Sequence, residues 1–175
     1  STLKRYLTLL ETVFLVRSIP AWHANLGKRL VKSPKVLVAD SGLGAHLMGL
    51  DADRIARDRS PLGGLLEAFV AMELQKQIGW SRTRPALHHW RTHGGDEVDL
   101  VLERRDGTLV GIEVKSAATV GAADMRGLRA LAAAAGHRLH RGIVLYTGTQ
   151  TIPFGERLHA MPIDALWQWG ATSII

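Results

Sequence analysis

Residues 97–115 read Glu97-Val98-Asp99-Leu100-Val101-Leu102-Glu103-Arg104-Arg105-Asp106-Gly107-Thr108-Leu109-Val110-Gly111-Ile112-Glu113-Val114-Lys115. Two aliphatic runs flank Asp106-Gly107, a dipeptide that supplies the positive φ of a tight hairpin turn. The pattern predicts strands over 97–103 and 109–115. Successive side chains of a strand alternate, so Val110, Ile112 and Val114 share one face and Gly111, Glu113 and Lys115 the other. On the first strand the same rule sets Val98, Leu100 and Leu102 opposite Asp99, Val101 and Glu103. Aligning the apolar faces brings Asp99 beside Glu113 and Lys115.

Outward from the hairpin, Ala86 to Thr92 reads as a further strand. Ala122 to Ala135 is an alanine-rich helix stopped by Gly136, and Gly142 to Tyr146 is a fully apolar strand. A strand, a helix and a buried strand in succession form a crossover unit, which implies a mixed sheet with helices on its faces. Upstream, Gly63-Gly64 opens a helix from Leu65 to Ile78 that is apolar on nearly every side and therefore buried. Within it Glu67 shares a face with Val70, Ala71 and Leu74. A carboxylate on that face is costly unless it is paired or binds a metal. Glu73 is a second candidate for the same role.

The first third has a different character. Leu3, Tyr6, Leu7 and Leu10 recur at helical spacing; Val13 to Trp22 is extended and ended by Pro20; Val36-Leu37-Val38 follows Pro34 as a short strand. Asp40 and Ser41 cap a helix to about Met48, ended by Gly49. Asp51 to Pro61 is polar and charged, the best candidate for a linker. The expected architecture is α/β: a mixed central sheet flanked by helices, preceded by a small helical, winged-helix-like segment. The domain division is 1–60 for that segment and its linker, and 61–175 for the sheet domain. A helix that opens the chain without flanking context suggests a fragment of a longer protein.

Composition narrows the function classes. At 175 residues and 46% hydrophobic content the chain can bury one substantial core. The absence of cysteine excludes disulfides and thiolate zinc sites and fits a reducing compartment. No apolar run is long enough for a membrane span and no signal-peptide layout is present, so a soluble, cytoplasmic protein without membrane association is expected. The net charge of +6, concentrated at Lys28-Arg29, Lys32, Lys35 and Arg54 to Arg59, favours polyanions weakly, without the interleaved aromatics of a nucleic-acid groove. His88-His89 face opposite ways on a strand and make a poor zinc pair with His93. Gly42-Leu43-Gly44 and Gly27-Lys28 satisfy neither common phosphate-loop pattern. Trp167 and Trp169 read as core or interface anchors, and Arg126 and Arg129 as solvated flanks of the alanine-rich helix.

The hairpin is where chemistry is expected. A hard cation such as Mg²⁺ takes oxygen ligands, usually one or two carboxylates with water and substrate phosphate. Asp99 and Glu113 on adjacent strands meet that need, Glu67 adds a third carboxylate, and Lys115 stands where it could orient a metal-bound water. The order of elements from Glu67 to Tyr146 resembles the core of the PD-(D/E)xK, or restriction-endonuclease-like, fold. Asp99 and Glu113-Val114-Lys115 take its motif positions and Glu67 its helix position, with Val98 standing where that motif has proline. Nearly the whole chain also resembles the C-terminal region of prokaryotic AAA+ class ATPases called domain of unknown function 4143. That likeness rests on Tyr6-Leu7, Lys32-Ser33-Pro34-Lys35 leading to Asp40-Ser41-Gly42-Leu43, Gly64-Leu65-Leu66-Glu67, Glu97-Val98-Asp99, Ile112-Glu113-Val114-Lys115 and Gly142-Ile143-Val144-Leu145-Tyr146.

The resemblance implies a metal-dependent, phosphodiesterase-like site. Asp99, Glu113 and Glu67 would hold Mg²⁺ or Mn²⁺ and Lys115 would position the nucleophilic water. The domain would act on or dock to DNA as part of a chain that also carries an ATPase module. The alternative is a non-catalytic module that uses an inactive nuclease-like scaffold to recognise nucleic acid or a protein.

Overall fold

The computed structural model describes residues 2–25, 27, 29 and 32–168; Lys28 of the basic cluster and Trp169 lie outside them. An eleven-residue helix, α1 (Thr2–Thr12), leads into strand β1 (Val16–Ile19), which pairs antiparallel with β2 (Lys35–Val38). Two short helices follow, α2 (Ser41–Leu47) and α3 (Ala52–Arg57). Asp40 caps the first by accepting from Leu43 N at 2.8 Å. Gly49, at φ +64°, turns the chain out of it.

Helix α3 lies within Asp51 to Pro61, the candidate linker, where no helix was expected. Asp51 accepts from Arg54 N at 2.7 Å, a side-chain cap that starts a helix without an apolar stripe. None of its residues is buried, so hydrophobic periodicity carried no trace of it.

The sheet domain begins with α4 (Leu62–Trp80), three residues longer at its start than Leu65, and continues with β3 (Ala86–Arg91), β4 (Glu97–Glu103) and β5 (Leu109–Lys115). Gly107 takes φ +83° in the turn between β4 and β5. The helix expected over 122–135 divides into a 3-10 turn, Ala122–Met125, and α5 (Arg126–Ala135), after which Gly136 at φ +63° ends it. Strand β6 (Leu139–Tyr146) runs parallel to β5, and β7 (Ile152–Pro153), β8 (Leu158–Pro162) and a 3-10 turn at Ile163–Leu166 follow. The six-stranded order is β3-β4-β5-β6-β8-β7, with both parallel and antiparallel pairings, so the sheet is mixed as expected.

Each face carries one helix. Ala68, Val70, Ala71 and Leu74 of α4 bury against Leu100, Leu102, Ile112, Val114 and Ile143. Leu128, Leu131 and Ala135 of α5 bury against Val98, Val101, Leu109 and Val144. Helix α5 lies so close to β4 that a Cβ on Gly127 would stand 2.0 Å from the Glu97 carbonyl oxygen. The N-terminal segment is tied to the open edge of β3: Trp22 N donates to His89 O at 2.7 Å and His89 N to Pro20 O at 3.0 Å. That pairing covers backbone groups an edge strand would otherwise expose. No helix among the described residues is long and apolar enough to cross a membrane.

Candidate functional site

The site forms where β4 breaks its alternation. Val101 pairs with His88 and Val98 with Trp90, so Asp99 and Leu100 together oppose the single residue His89. That is a β-bulge, a device that re-aims a side chain. Its effect is visible in the packing: Leu100 and Leu102 join the α4 cluster, while both Val98 and Val101 join the α5 cluster. The expectation that Val98 shares a face with Leu100 is therefore corrected, because strict period-two counting fails across the bulge.

Asp99 gains two anchors from this placement. Its Oδ2 accepts from Val114 N at 3.0 Å, and its Oδ1 lies 3.1 Å from Lys35 Nζ. The same ammonium pairs with Glu67 Oε1 on α4. Continuing the β4–β5 register one residue beyond Leu100↔Ile112 sets Asp99 across from Glu113. On β5, Gly111 faces Leu128 and Leu131 of α5, and by alternation Glu113 and Lys115 share that side. Lys115 Nζ donates to Glu113 Oε1 at 3.0 Å, while Glu113 Oε2 is buried with no hydrogen-bond partner among the described residues.

The structure thus brings all four predicted residues to one end of the sheet, arranged as Glu67·Lys35·Asp99 and Glu113·Lys115 with Asp99 the electrostatic neighbour of both carboxylates. Three carboxylates against two ammonium groups leave one negative charge over when all are ionised. The titrations follow burial first and that excess second. Burial, then the charge of Asp99, pushes Glu113 up to about 7 in spite of Lys115. The same two causes raise Glu67 against the pull of Lys35. Burial works to lower both lysines, yet the surrounding carboxylates outweigh it and hold them above the usual lysine value.

Among the described residues, no three His, Asp or Glu side chains converge closely enough to hold a metal ion as they stand. The donors that fit a hard cation are Asp99 and Glu113: oxygen ligands on paired strands, one with a buried oxygen that lacks a partner among the described residues. Glu67, the third carboxylate of the expected set, shares the Lys35 ammonium with Asp99. Glu73 lies apart, paired with Lys76 and accepting from Trp167 Nε1 at 3.3 Å. His88 faces Glu103 at 3.5 Å, whereas the His89 ring lies 3.3 Å from Ser33 O. Arg126 pairs with Asp96 at 2.9 Å, and Arg129 donates to Ala122 O at 2.7 Å.

Two groups were missed by sequence reasoning. Lys35 comes from a strand 32 residues before Glu67 and 64 before Asp99, and was read only as part of the basic balance and the family likeness, with no pattern linking it to the carboxylates. The second is an anchor at the far end of β4, where Glu103 accepts from both terminal nitrogens of Arg29 and from Trp22 Nε1 at 3.2 Å. The guanidinium groups of Arg29 and Arg138 lie 5.5 and 5.2 Å from the Trp22 ring. Burial works to raise Glu103, but the hydrogen bonds from Arg29 and Trp22 prevail and hold it below the ordinary value. Its only sequence signal was an acidic residue on the same predicted face as Val101.

A family model described as Domain of unknown function (DUF4143) matches residues 62–166. The chain belongs to the DUF4143 family. Glu67, Asp99, Glu113 and Lys115 all lie within the DUF4143 match. Lys35 lies outside it, in residues 1–54, which match a second model described as Domain of unknown function (DUF8612). The chain is 34% identical over 172 residues to an uncharacterised protein of Mycobacterium bovis and to one of Mycobacterium tuberculosis. The alignments cover 98% of this chain and 37% of each relative, so the chain spans little more than a third of their length. No solved structure matches.

Proposed function

We propose that this DUF4143 chain is a nuclease-like, DNA-directed domain of a longer, cytoplasmic ATP-binding protein. Asp99 and Glu113 would hold Mg²⁺ or Mn²⁺, and Lys115 would serve the phosphodiester. The observation that carries the reading is Glu113: a carboxylate with one oxygen that has no hydrogen-bond partner among the described residues, raised by burial and then by its neighbour Asp99, and touched by Lys115. An acid perturbed by burial together with a specific charge partner is a functional-site candidate. The resemblance to the PD-(D/E)xK core and to the C-terminal region of AAA+ class ATPases supports the nuclease-like scaffold and the ATPase context. The relatives' greater length leaves room for that module.

When bound, a divalent cation supplies charge neutralisation at a phosphodiester and acidification of a coordinated water. The chain's own residues supply position. The Val114 N–H fixes the Asp99 carboxylate, and the Asp99 charge with burial keeps Glu113 poised near neutrality. Lys115, held by Glu113, presents an ammonium to a non-bridging phosphate oxygen or to the attacking water. Hydrolysis forms a bond from the water oxygen to phosphorus and breaks the bond to the leaving sugar oxygen, which takes up a proton.

The test is incubation of the chain with supercoiled, linear and single-stranded DNA in Mn²⁺ or Mg²⁺, beside Asp99→Asn and Lys115→Gln. Cleavage by wild type alone is expected; equal cleavage by all three would refute the assignment. A second reading draws on Lys35, which engages Glu67 and Asp99, and on the basic balance of +6. In it the scaffold binds DNA without cutting, using the winged-helix-like segment. Salt-sensitive, EDTA-insensitive binding without cleavage selects this reading.

A further inference from the structure

We infer that Lys35 is a built-in competitor for divalent cations at this site, so that the N-terminal ladder of β1 and β2 governs whether a metal reaches Asp99. The inference rests on the metal-site reading above and adds its regulation.

Lys35 opens β2, paired with Ile19 of β1. Its ammonium stands between carboxylates from two other elements, Glu67 of α4 and Asp99 of β4. A cation taking Asp99 Oδ1 as a ligand would occupy the place this ammonium holds at 3.1 Å, and the two positive charges repel. Entry of the metal therefore requires Lys35 to leave. Lys115 does not close the site in the same way, because it takes only Oε1 of Glu113 and leaves Oε2 without a hydrogen-bond partner among the described residues. The ladder that carries Lys35 is positioned from elsewhere: Pro20 and Trp22 pair with His89 on the β3 edge, and Arg29 between the two strands grips Glu103. The chain thus places its plug on a segment whose seat on the sheet does not depend on the carboxylates it blocks. A pull on the ladder that withdraws Lys35 would open the site.

The experiment is Mn²⁺ titration calorimetry on the full chain and on Lys35→Met, which keeps the apolar stem and removes the charge, with circular dichroism to verify the fold. Lys35→Met is expected to bind Mn²⁺ at least tenfold more tightly, ~1.4 kcal/mol, and to show a larger Mn²⁺-induced rise in Tm. Lys35→Arg, which keeps the charge, is expected to bind like wild type. If Lys35→Met does not fold, Lys35→Gln carries the same comparison. Wild type binding Mn²⁺ with Lys35→Met equal or weaker would overturn the competitor role and leave the metal site standing. Absence of Mn²⁺ binding in every protein would overturn both.

Discussion

Replacing Glu113 with glutamine should leave stability unchanged at pH 4 and raise it at pH 8. In the folded chain Glu113 titrates at about 7, against an ordinary value of 4.5, because it is buried and faces Asp99. Between those two values the native state retains a proton that the unfolded chain has released, so stability falls as pH rises through the interval. The gap corresponds to about 3 kcal/mol, fully expressed above pH 7, and the favourable contact with Lys115 is already contained in it. Glutamine preserves the shape and cannot ionise, so the variant escapes this loss. For a chain of this size the difference amounts to roughly 6–12 °C in Tm at pH 8. Thermal unfolding of both proteins at four pH values from 4 to 8 measures it, carboxylates remote from the Glu113–Asp99 pair cancelling in the comparison. Parallel wild-type and Glu113→Gln curves, or a variant less stable at pH 8, would refute the electrostatic account. Mn²⁺ added at pH 8 should stabilise wild type and leave Glu113→Gln nearly unmoved.

Two further perturbations test the frame that holds the site. Glu103→Ala strands the Arg29 guanidinium beside Trp22 and should destabilise by roughly 2–3 kcal/mol, below the ~3–5 kcal/mol of a fully buried pair because both side chains keep some exposure. Urea unfolding read through tryptophan fluorescence gives the value, and an unchanged midpoint would contradict the anchor role. Gly127→Ala favours helix by ~1 kcal/mol in isolation yet puts a Cβ 2.0 Å from the Glu97 carbonyl. A net loss of at least ~2 kcal/mol in the urea midpoint is expected, and a stabilised variant would contradict the close α5–β4 approach.

Much of the fold was legible in the sequence because its signals are local. Strands 97–103 and 109–115 appear with the bounds their alternation gave, since Asp106-Gly107 fixed the turn between them. The α2 helix was legible through Asp40 and Gly49, a cap and a stop. What stayed hidden depended on distant partners or lacked periodicity. Helix α3 has no apolar stripe, and β8 becomes a strand by pairing with β6 and β7. The β4 bulge arises from pairing with β3, so counting along 97–103 could not reveal that Val98 turns to the α5 side. The candidate site followed the same division. Asp99, Glu113 and Lys115 were readable as neighbours, whereas the ammonium between Glu67 and Asp99 is purely tertiary.

The measurement that bears most directly on the proposed site is Mn²⁺ binding by wild type and Asp99→Ala, followed by calorimetry or by the paramagnetic resonance signal of free Mn²⁺. Binding by wild type at a single site that disappears in Asp99→Ala is predicted, since Asp99 would be a direct ligand beside Glu113. Equal binding by wild type and Asp99→Ala, or none by wild type and Lys35→Met alike, would contradict the metal site and leave these charged residues as parts of the scaffold.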